Sequence, residues 1–364
     1  MTVLQVCAFG SEYPGNFIAS LEALEQELAK KKIKTIYAFV ERASQMPWCQ
    51  EIEKRTKVYY LPEAKARILP RTYRIFRQIY AENDVTVVHS HFELYDIPAT
   101  VTAPKDTKIF WHLHDPINGG TGLRSILWKV QYGLVSKKAY LLAVSDFYRK
   151  AVIQMGFPEN QTTTVLNSIN LSRIRDCENR IQEPRPYDFL TFGWDFSRKG
   201  DDLILKACQK LWEDGYRFRL LLNGNAQTWP QLEEFLQGAD PDWLVRGEPV
   251  SDVNKLFEKS GLFIQASRRE TFSYAVCEAA YAGLPVISSD IAGLEWAHEL
   301  PSVQFFPYED WKDLYARMKA YLDGSRCTSE QIRQSRELIE RDYALESWAN
   351  RVIKEYHLSN EGTK

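Results

Sequence analysis

The residues with the clearest chemical meaning are two glutamates, Glu270 and Glu278, which flank the predicted start of a helix. That helix is predicted to begin at Tyr274, behind an N-cap at Ser273, and to end at Gly283. The free backbone N–H groups at its start predict a diphosphate site. Two carboxylates beside an anion repel phosphate but accept hydrogen bonds from ribose and hexose hydroxyl groups. The alternative is that both glutamates are solvated charges favoured by the helix dipole.

Two cations, Arg198 and Lys199, lie between a predicted strand and a helix that starts near Gly200. A nucleoside diphosphate that leaves a sugar develops negative charge, which needs fixed cations or a metal ion. The nearby Asp201 and Asp202 stand at a helix start, where acidic residues are routine. We therefore predict no metal site and no cofactor, with the cations binding the diphosphate. The alternative is that both cations are solvated loop charges.

A glycine and four histidines follow the strands predicted for the first half of the chain. Gly15 comes after the first strand, where it would let the backbone approach a ligand closely. His89 and His91 share one face of a strand, as do His112 and His114. We interpret His89, His91 and His112 as core histidines. His114 stands at the carboxyl end of its strand, where such sheets bind ligands, and is the candidate polar site residue.

The elements that must position these residues form a repeating pattern of short apolar runs and amphipathic stretches. This alternation predicts parallel sheets covered by helices on both faces. A polar segment at 173–187 interrupts the pattern and marks a domain boundary. We predict an α/β protein of two Rossmann-like, doubly wound domains, 1–180 and 181–342, facing a central cleft. Residues 343–364 are predicted to cross back as a helix to the first domain.

The predicted elements are short, as is usual for doubly wound sheets. Helices are predicted at Phe17–Lys31, Ile68–Ala81, Leu123–Lys137, Phe147–Met155, Asp201–Asp214, Asp252–Ser260, Tyr274–Ala282 and Thr328–Tyr356. Strands are predicted at Val3–Phe9, Lys34–Val40, Val58–Leu61, Val85–His89, Lys108–Leu113, Tyr140–Ser145, Thr163–Leu166, Phe189–Phe192, Phe218–Leu222, Leu244–Arg246, Leu262–Gln265, Val286–Ser288 and Val303–Phe306.

A family resemblance is strongest around the segment ETFSYAVCEAAYAG, which begins at Glu270. It resembles the E-x₇-E motif of family 4 glycosyltransferases (glycosyl transferases group 1), a retaining group with the GT-B fold. The first domain is similar to the family at AVSDFYRKAVIQMGFPENQTTTVLNSIN, where Asn167 and Asn170 match and Ser168 replaces a glycine. Further matching positions are Gly247, Ser251, Ser267, Phe272, Ala279, Gly283, Pro285 and Gly293.

The resemblance implies roles for residues at matching positions, in an N-terminal acceptor domain and a C-terminal nucleotide-sugar donor domain. Glu278 would hold the ribose and Glu270 the sugar hydroxyls, while His114 would face sugar and acceptor. We therefore expect His114 and Glu270 to be the catalytic residues. The expected donor-binding residues are Gly15, Arg198, Lys199, Phe272, Ser273, Tyr274 and Glu278.

One position departs from the family pattern, because Trp194 follows Gly193 where the family has an arginine. The expected activity is transfer of a hexosyl unit from a nucleotide-diphosphate sugar to a saccharide or lipid-linked acceptor, with retention and without metal. Trp194 supports an alternative, a catalytically weak GT-B subunit that recognises acceptor for a partner transferase. A sugar-nucleotide epimerase is a third reading, disfavoured by the matches at Phe272, Gly283 and Pro285.

Charge and hydropathy limit the other partners. The net charge of −2 argues against nucleic acid, and no apolar run reaches the roughly 18 residues of a membrane span. The N-terminal sequence lacks the pattern of a leader peptide, so we expect a cytoplasmic protein. Residues 54–77 carry eight Lys/Arg and one Glu among apolar side chains. This segment could dock peripherally on the inner face of a membrane or on a lipid-pyrophosphate acceptor; the alternative is a solvated helix face.

Overall fold

The computed structural model describes residues 1–114, 123–177 and 185–356. The chain forms two compact units, one of residues 1–168 with the stretch that begins at Leu345, and one of Ile169–Ala344. The sequence analysis placed these boundaries after residues 180 and 342. The first boundary lies earlier because the following segment already hydrogen-bonds within the second unit. The Ile169 N–H donates to the Tyr343 carbonyl (2.9 Å), and the Cys177 N–H donates to the Ala282 carbonyl (2.7 Å).

The first unit contains a parallel sheet of seven strands in the order β3-β2-β1-β4-β5-β6-β7. The strand order changes direction between β1 and β4, and the last residues of these strands, Cys7 and His91, are paired neighbours. Ligand-binding loops of doubly wound sheets meet at such a switch point. The strands are β1 Thr2–Cys7, β2 Lys34–Val40, β3 Val58–Leu61, β4 Val85–His91, β5 Lys108–Leu113, β6 Tyr140–Ala143 and β7 Thr162–Thr164.

Helices cover this sheet, and one of them comes from the far end of the chain. The apolar stripe of α14, including Trp348 and Val352, packs with Leu24 and Leu28 of α1 and with Val3 of β1 in one buried cluster. The helix therefore completes the core of the first unit. The helices of this unit are α1 Gly15–Lys30, α2 Pro47–Glu53, α3 Pro70–Glu82, α4 Asp96–Thr102, α5 Leu123–Ser136, α6 Asp146–Gln154 and α14 Leu345–Glu355.

The second unit repeats the arrangement with six parallel strands in the order β10-β9-β8-β11-β12-β13. Its switch point lies between β8 and β11. The strands are β8 Tyr187–Phe192, β9 Leu220–Asn223, β10 Leu244–Gly247, β11 Ser260–Gln265, β12 Val286–Asp290 and β13 Val303–Pro307. The helices are α7 Phe196–Lys199, α8 Asp201–Glu213, α9 Thr228–Leu236, α10 Asn254–Phe257, α11 Tyr274–Ala282, α12 Trp311–Leu322 and α13 Ser329–Tyr343.

The predicted fold class is confirmed, since both units are Rossmann-like parallel sheets with interleaved helices. Each of the thirteen predicted strands overlaps a strand of the structure. The prediction of one continuous helix from Thr328 to Tyr356 is wrong. Ala344 is extended (φ −69°, ψ 153°) and forms a parallel bridge with Ile169, so the helical pattern is divided into α13 and α14.

Candidate functional site

The candidate site of the second unit lies at the edge of the sheet where β8 and β11 end. The short helix α7, which follows β8, carries Arg198 and Lys199, and the loop after β11 carries Glu270. A main-chain hydrogen bond from the Arg268 N–H to the Arg198 carbonyl (2.8 Å) joins the two segments. The fold therefore brings together residues that are separated by about seventy positions in the sequence.

Glu270 is the centre of this site. Its Oε1 atom accepts hydrogen bonds from Lys199 Nζ (2.7 Å), Ser267 Oγ (2.9 Å) and Arg198 (3.3 Å). The Glu270 side chain is 10% exposed and that of Lys199 is 14% exposed, so this ion pair is shielded from water. A shielded, hydrogen-bonded pair is stronger than one on the surface. The carboxylate therefore holds both cations that the sequence analysis assigned to a diphosphate.

Two glycines let the loops approach closely enough to form this arrangement. Gly200 has a left-handed backbone (φ 69°), and a Cβ atom there would overlap the carbonyl oxygen of Ala266. A Cβ atom at Gly293 would overlap the carbonyl oxygen of Glu270. Larger residues at either position would push the loops apart, which is why glycine is needed at both.

The start of α11 has the properties predicted for a phosphate-binding helix terminus. Ser273 caps the helix by accepting a hydrogen bond from the Val276 N–H (3.4 Å), and its backbone is left-handed (φ 64°). Its hydroxyl group donates to Gln265 Oε1 (2.9 Å). The Nε2 atom of Gln265 is buried and has no hydrogen-bond partner among the described residues. A buried donor without a partner beside a helix N-terminus is suited to a ligand that brings an acceptor.

The remaining residues predicted for donor binding differ in exposure. The ring of Phe272 is fully buried and stacks on Trp296 (centroids 4.6 Å apart), whose indole N–H donates to the Phe272 carbonyl (2.7 Å). Phe272 therefore anchors the loop from inside the core. Tyr274 is half-buried at the first position of α11 with its ring against Phe272. Glu278 is 9% exposed in the second turn of the helix.

The two acidic residues at the start of α8 have different environments. Asp202 binds Arg268 through both carboxylate oxygens (2.8 and 3.0 Å), which lowers its pKa against the effect of burial. Asp201 is fully buried, and neither of its oxygens has a hydrogen-bond partner among the described residues. Burial raises its pKa to about 8, although Lys199 opposes the change. The interpretation of both as routine helix-start charges is therefore wrong for Asp201, which keeps its proton at neutral pH.

The residues around Arg198 show what stands in place of the family arginine. Asp195 caps α7 and accepts a hydrogen bond from Arg198 Nε (3.0 Å). Trp194 is 51% exposed, and its ring stacks on that of Phe192, with centroids 6.2 Å apart and planes inclined by 24°. The position that follows Gly193 therefore presents a large aromatic surface to solvent.

The candidate site of the first unit lies at the switch point between β1 and β4. Gly15 begins α1 with a left-handed backbone (φ 56°), and Phe17 in the same helix contacts the ring of His114 edge-on (5.4 Å). His114 is 9% exposed, and burial lowers its pKa to about 3. His114 is therefore a neutral imidazole at physiological pH and acts as a hydrogen-bonding group, not as a cation.

The other three strand-end histidines, His89, His91 and His112, are core residues, as predicted. Burial lowers the pKa of each well below its ordinary value, with the neighbouring histidines adding to the effect. Their ring nitrogens lie within 4.8 Å of one another, close enough in principle to hold a metal ion. These nitrogens also form hydrogen bonds with each other, with His114, and with Gln5 and Tyr356.

The basic segment 54–77 is partly neutralised by carboxylates. Five of its eight cations form ion pairs: Lys54, Arg55, Lys57, Arg67 and Arg71. Lys65, Arg74 and Arg77 are exposed and have no ion-pair partner among the described residues, and Ile68 is 75% exposed nearby. Membrane contact through this segment stays a prediction. Within the described ranges, no helix combines the length and apolar character needed to cross a membrane.

The structure thus joins Arg198 and Lys199 to Glu270 by hydrogen bonds. Ser273 follows Glu270 by three residues and contacts Gln265, and in the first unit α1, which begins at Gly15, contacts His114 through Phe17. Sequence reasoning missed two polar residues within otherwise apolar strands. Gln265 ends β11 (SGLFIQ), and Gln5 interrupts β1 (TVLQVC). A polar residue in a buried strand needs a partner, so its position was an available signal for a site.

Known proteins share both the sequence pattern and the fold. The chain is 23% identical over 271 residues to an uncharacterised glycosyltransferase of Methanocaldococcus jannaschii, covering 67% of this chain and 66% of that protein. It is 23% identical over 170 residues to the amylovoran biosynthesis glycosyltransferase AmsK of Erwinia amylovora, covering 44% of this chain and 42% of that protein. The matches thus span about two-fifths to two-thirds of the length of these relatives. The structure of Anabaena HepE in complex with UDP has a TM-score of 0.78 at 14% identity, covering 98% and 99% of the chains.

The two Rossmann-like parallel-sheet units give the chain the GT-B fold, which it shares with HepE. The first unit matches the description Glycosyltransferase Family 4 over residues 20–173. The second matches Glycosyl transferases group 1 over residues 187–323. The chain belongs to this glycosyltransferase family.

Proposed function

We propose that the protein transfers a hexosyl unit from a nucleotide-diphosphate sugar to a saccharide or lipid-linked acceptor, with retention and without a metal ion. The observation that carries the proposal is the contact of Lys199 and Arg198 with Glu270 beside the start of α11. Cations, free backbone N–H groups and a carboxylate at one edge of a sheet can bind the two ends of a sugar diphosphate. The HepE complexes with UDP and UDP-glucose make uridine nucleotides the first donors to test.

In the proposed reaction, the diphosphate binds at the N-terminus of α11 and draws Lys199 and Arg198 towards its oxygens. Glu270 then loses its contacts with these cations and accepts hydrogen bonds from hydroxyl groups of the sugar. The sugar is uncharged, so its hydroxyl groups can donate to the carboxylate without repulsion. The two cations stabilise the charge that develops as the bond from the anomeric carbon to the phosphate oxygen breaks. Buried Glu278 accepts hydrogen bonds from the ribose.

The acceptor hydroxyl forms the new bond to the anomeric carbon on the face that the diphosphate leaves. Its proton passes to the departing phosphate oxygen, so the products are the glycosylated acceptor and a nucleoside diphosphate. This route needs no protein base. It suits His114, whose lowered pKa makes it a neutral hydrogen-bonding group that can orient hydroxyl groups. AmsK is named for amylovoran biosynthesis, which supports a saccharide acceptor.

A second candidate function is that of a binding subunit that recognises acceptor for a partner transferase. Trp194 favours it, because an exposed indole stands where the family has a cation and carries no charge to balance a diphosphate. This reading predicts weak or no binding of sugar nucleotides.

Calorimetry and melting with UDP, GDP, ADP, dTDP and their sugars, in buffer containing EDTA, test the proposal. A ligand present at about a hundred times its dissociation constant adds nearly 3 kcal/mol of stability. We expect one nucleotide to raise the melting temperature, Glu278→Ala to abolish the shift, and Glu234→Ala, on an exposed helix face of the same unit, to retain it. No shift by any nucleotide at millimolar concentration would favour the binding subunit. NMR of the anomeric proton of the product then gives the stereochemistry.

A further inference from the structure

A continuous chain of hydrogen bonds crosses the core of the first unit and ends at His114. Every member is at least nine-tenths buried, so water does not satisfy these polar atoms. These hydrogen bonds join His114 Nε2 to His91 Nδ1 (3.0 Å) and His91 Nε2 to Gln5 Oε1 (2.9 Å). The Gln5 Nε2 atom then donates to the Tyr356 hydroxyl (3.2 Å). That hydroxyl is bonded to His89 Nδ1 (2.7 Å), and His89 Nε2 is bonded to His112 Nδ1 (3.2 Å).

The orientation of the Gln5 amide determines which atoms carry protons towards His114. The amide oxygen can only accept, so Nε2 of His91 must be the protonated nitrogen of that ring. Burial keeps the ring neutral by lowering its pKa, so Nδ1 of His91 has no proton and accepts from Nε2 of His114. His114 is neutral as well, because its pKa is about 3. Its proton therefore lies on Nε2, and its Nδ1, which has no hydrogen-bond partner among the described residues, is an acceptor.

The other half of the chain holds the amide in this orientation. The Gln5 amide nitrogen donates to the Tyr356 hydroxyl, which donates to His89, and His89 donates to Nδ1 of His112. The proton of His112 is then on Nε2. The main-chain carbonyl of Val165 raises the pKa of His112 against the stronger effect of burial, as a hydrogen-bond acceptor does. Nδ1 of His112 is already bonded to His89, so Nε2 is the nitrogen that faces the Val165 carbonyl. The contact is weak, since Nε2 has no hydrogen bond of normal geometry among the described residues. A reversed chain would present a lone pair to that carbonyl.

We propose that Gln5 is a positioning residue that, with Tyr356, fixes the tautomer of His114 so that Nδ1 accepts a hydrogen bond from a hydroxyl group of a substrate. The contact of Nδ1 with a substrate hydroxyl group rests on the proposed function. The tautomer of His114 rests only on the hydrogen bonds described above. If the Gln5 amide turned over, each hydrogen bond in the chain would reverse. His114 would then carry its proton on Nδ1 and present a donor in place of an acceptor.

A metal ion bound by His89, His91 and His112 is the competing explanation of the cluster. It would require their nitrogens to leave the hydrogen bonds that they form. It would also place two positive charges in a fully buried site where burial and other histidines, not carboxylates, shift the pKa values. An uncompensated buried charge is strongly unfavourable, so the hydrogen-bond chain is the better account.

Long-range ¹H–¹⁵N NMR of protein labelled with ¹⁵N-histidine tests the proposal without any substrate. The chain has six histidines, and the signals of His114 are assigned by their loss in His114→Asn. We expect His114 to show a protonated Nε2 and an unprotonated Nδ1 between pH 6 and pH 8. Gln5→Met and Tyr356→Phe should each cause loss of this single pattern, giving mixed tautomers of His114. Tyr37→Phe is the matched control, since it removes another buried tyrosine hydroxyl that is not part of this chain of hydrogen bonds. It should leave the His114 pattern unchanged.

Three results would overturn the proposal. They are a proton on Nδ1 of His114 in the unsubstituted protein, an unchanged His114 pattern in folded Tyr356→Phe, and one equivalent of zinc shifting the ring nitrogens of His89, His91 and His112. Tyr356→Phe keeps the aromatic ring, so it provides the test even if Gln5→Met fails to fold. Nucleotide binding is measured separately, so failure of the tautomer prediction and failure of the proposed function are distinguishable.

Discussion

The Nζ atom of Lys199 lies 2.7 Å from Oε1 of Glu270, within a contact that is largely shielded from solvent. This ion pair links a residue expected to bind phosphate with one expected to bind sugar. In the proposed reaction, a diphosphate would therefore compete with Glu270 for the cation. Occupation of the phosphate site would free the carboxylate for the sugar hydroxyls, which couples recognition of the two parts of the donor.

This coupling predicts opposite effects of two substitutions on binding of the nucleoside diphosphate. Glu270→Gln removes the competing charge, so we expect affinity for the diphosphate to stay equal or increase, while transfer activity falls by about 10²–10³-fold, as for loss of a transition-state contact. Lys199→Ala should weaken diphosphate binding by about tenfold or more. Calorimetry with the diphosphate and a transfer assay check both. Weaker diphosphate binding by folded Glu270→Gln would contradict the exchange of partners.

The exposed Trp194 predicts a gain of function on substitution. Trp194→Arg restores a cation at the position where the family has one, and a hydrogen bond to a charged group contributes about 1.5–3 kcal/mol. We therefore expect tighter nucleoside diphosphate binding, by about tenfold or more. Trp194→Leu, which removes the ring without adding charge, is the matched control. If Trp194→Arg weakens binding as much as Trp194→Leu does, the indole itself contacts the ligand.

Asp201 predicts a specific dependence of stability on pH. Its pKa is about 8 in the folded protein and is raised from the ordinary value of 3.8, so the folded state retains a proton that the unfolded state releases. Its contribution to stability is therefore present below about pH 4 and is lost as pH rises to about 8, by up to about 1.4 kcal/mol for each pH unit. Asp201→Asn should melt higher than the unsubstituted protein, with a difference that grows across this range.

Asp202→Asn is the control for the pH experiment, because the pKa of Asp202 is lowered by its contacts with Arg268. This variant should melt lower at pH 7, and the deficit should fade as pH falls below about 4. Asp96, whose pKa burial raises to about 7, contributes equally to all three proteins. A constant difference between Asp201→Asn and the unsubstituted protein from pH 4 to pH 8 would show that Asp201 is ionised in the folded state.

The ion pairs of segment 54–77 divide its cations into two groups for a membrane-binding test. Replacement of Lys65, Arg74 and Arg77 by glutamate should abolish flotation with anionic vesicles, because these cations are exposed and form no ion pair with any residue that the structure describes. The control replaces three paired cations, Lys54, Lys57 and Arg71, and changes the net charge equally. Equal loss in both variants would indicate an effect of total charge. Flotation that neither variant changes would contradict docking through this segment.

Much of the fold could be predicted because its signals are local. Each strand is a short apolar run, and Gly283 with Ser273 delimits α11 in the sequence as it does in the structure. The break at Ala344 could not be predicted, because alanine favours helix and the cause of the break is a bridge to Ile169, far away in the chain. Tertiary contacts of this kind override local propensity.

The candidate site was predictable in its residue types but not in its contacts. The segment around Glu270 indicates sugar-nucleotide chemistry, yet no sequence feature showed that Glu270 binds both Arg198 and Lys199. Asp201 and Asp202 are identical in type and adjacent, and only the packing around them separates a buried acid from an ion-paired one. Gln5 and Tyr356 are hydrogen-bonded although they stand near opposite ends of the chain.

The position of α14 has a consequence for how the protein is made. Trp348, Ala349 and Val352 fill the same buried cluster as Val3 and Leu24, which the ribosome adds more than three hundred residues earlier. During translation, the apolar stripe of α1 must therefore wait until α14, Leu345–Glu355, has been synthesised before its final partner arrives. The second unit, Ile169–Ala344, is contiguous and can fold meanwhile. The unit that is synthesised first is thus the last that can be completed.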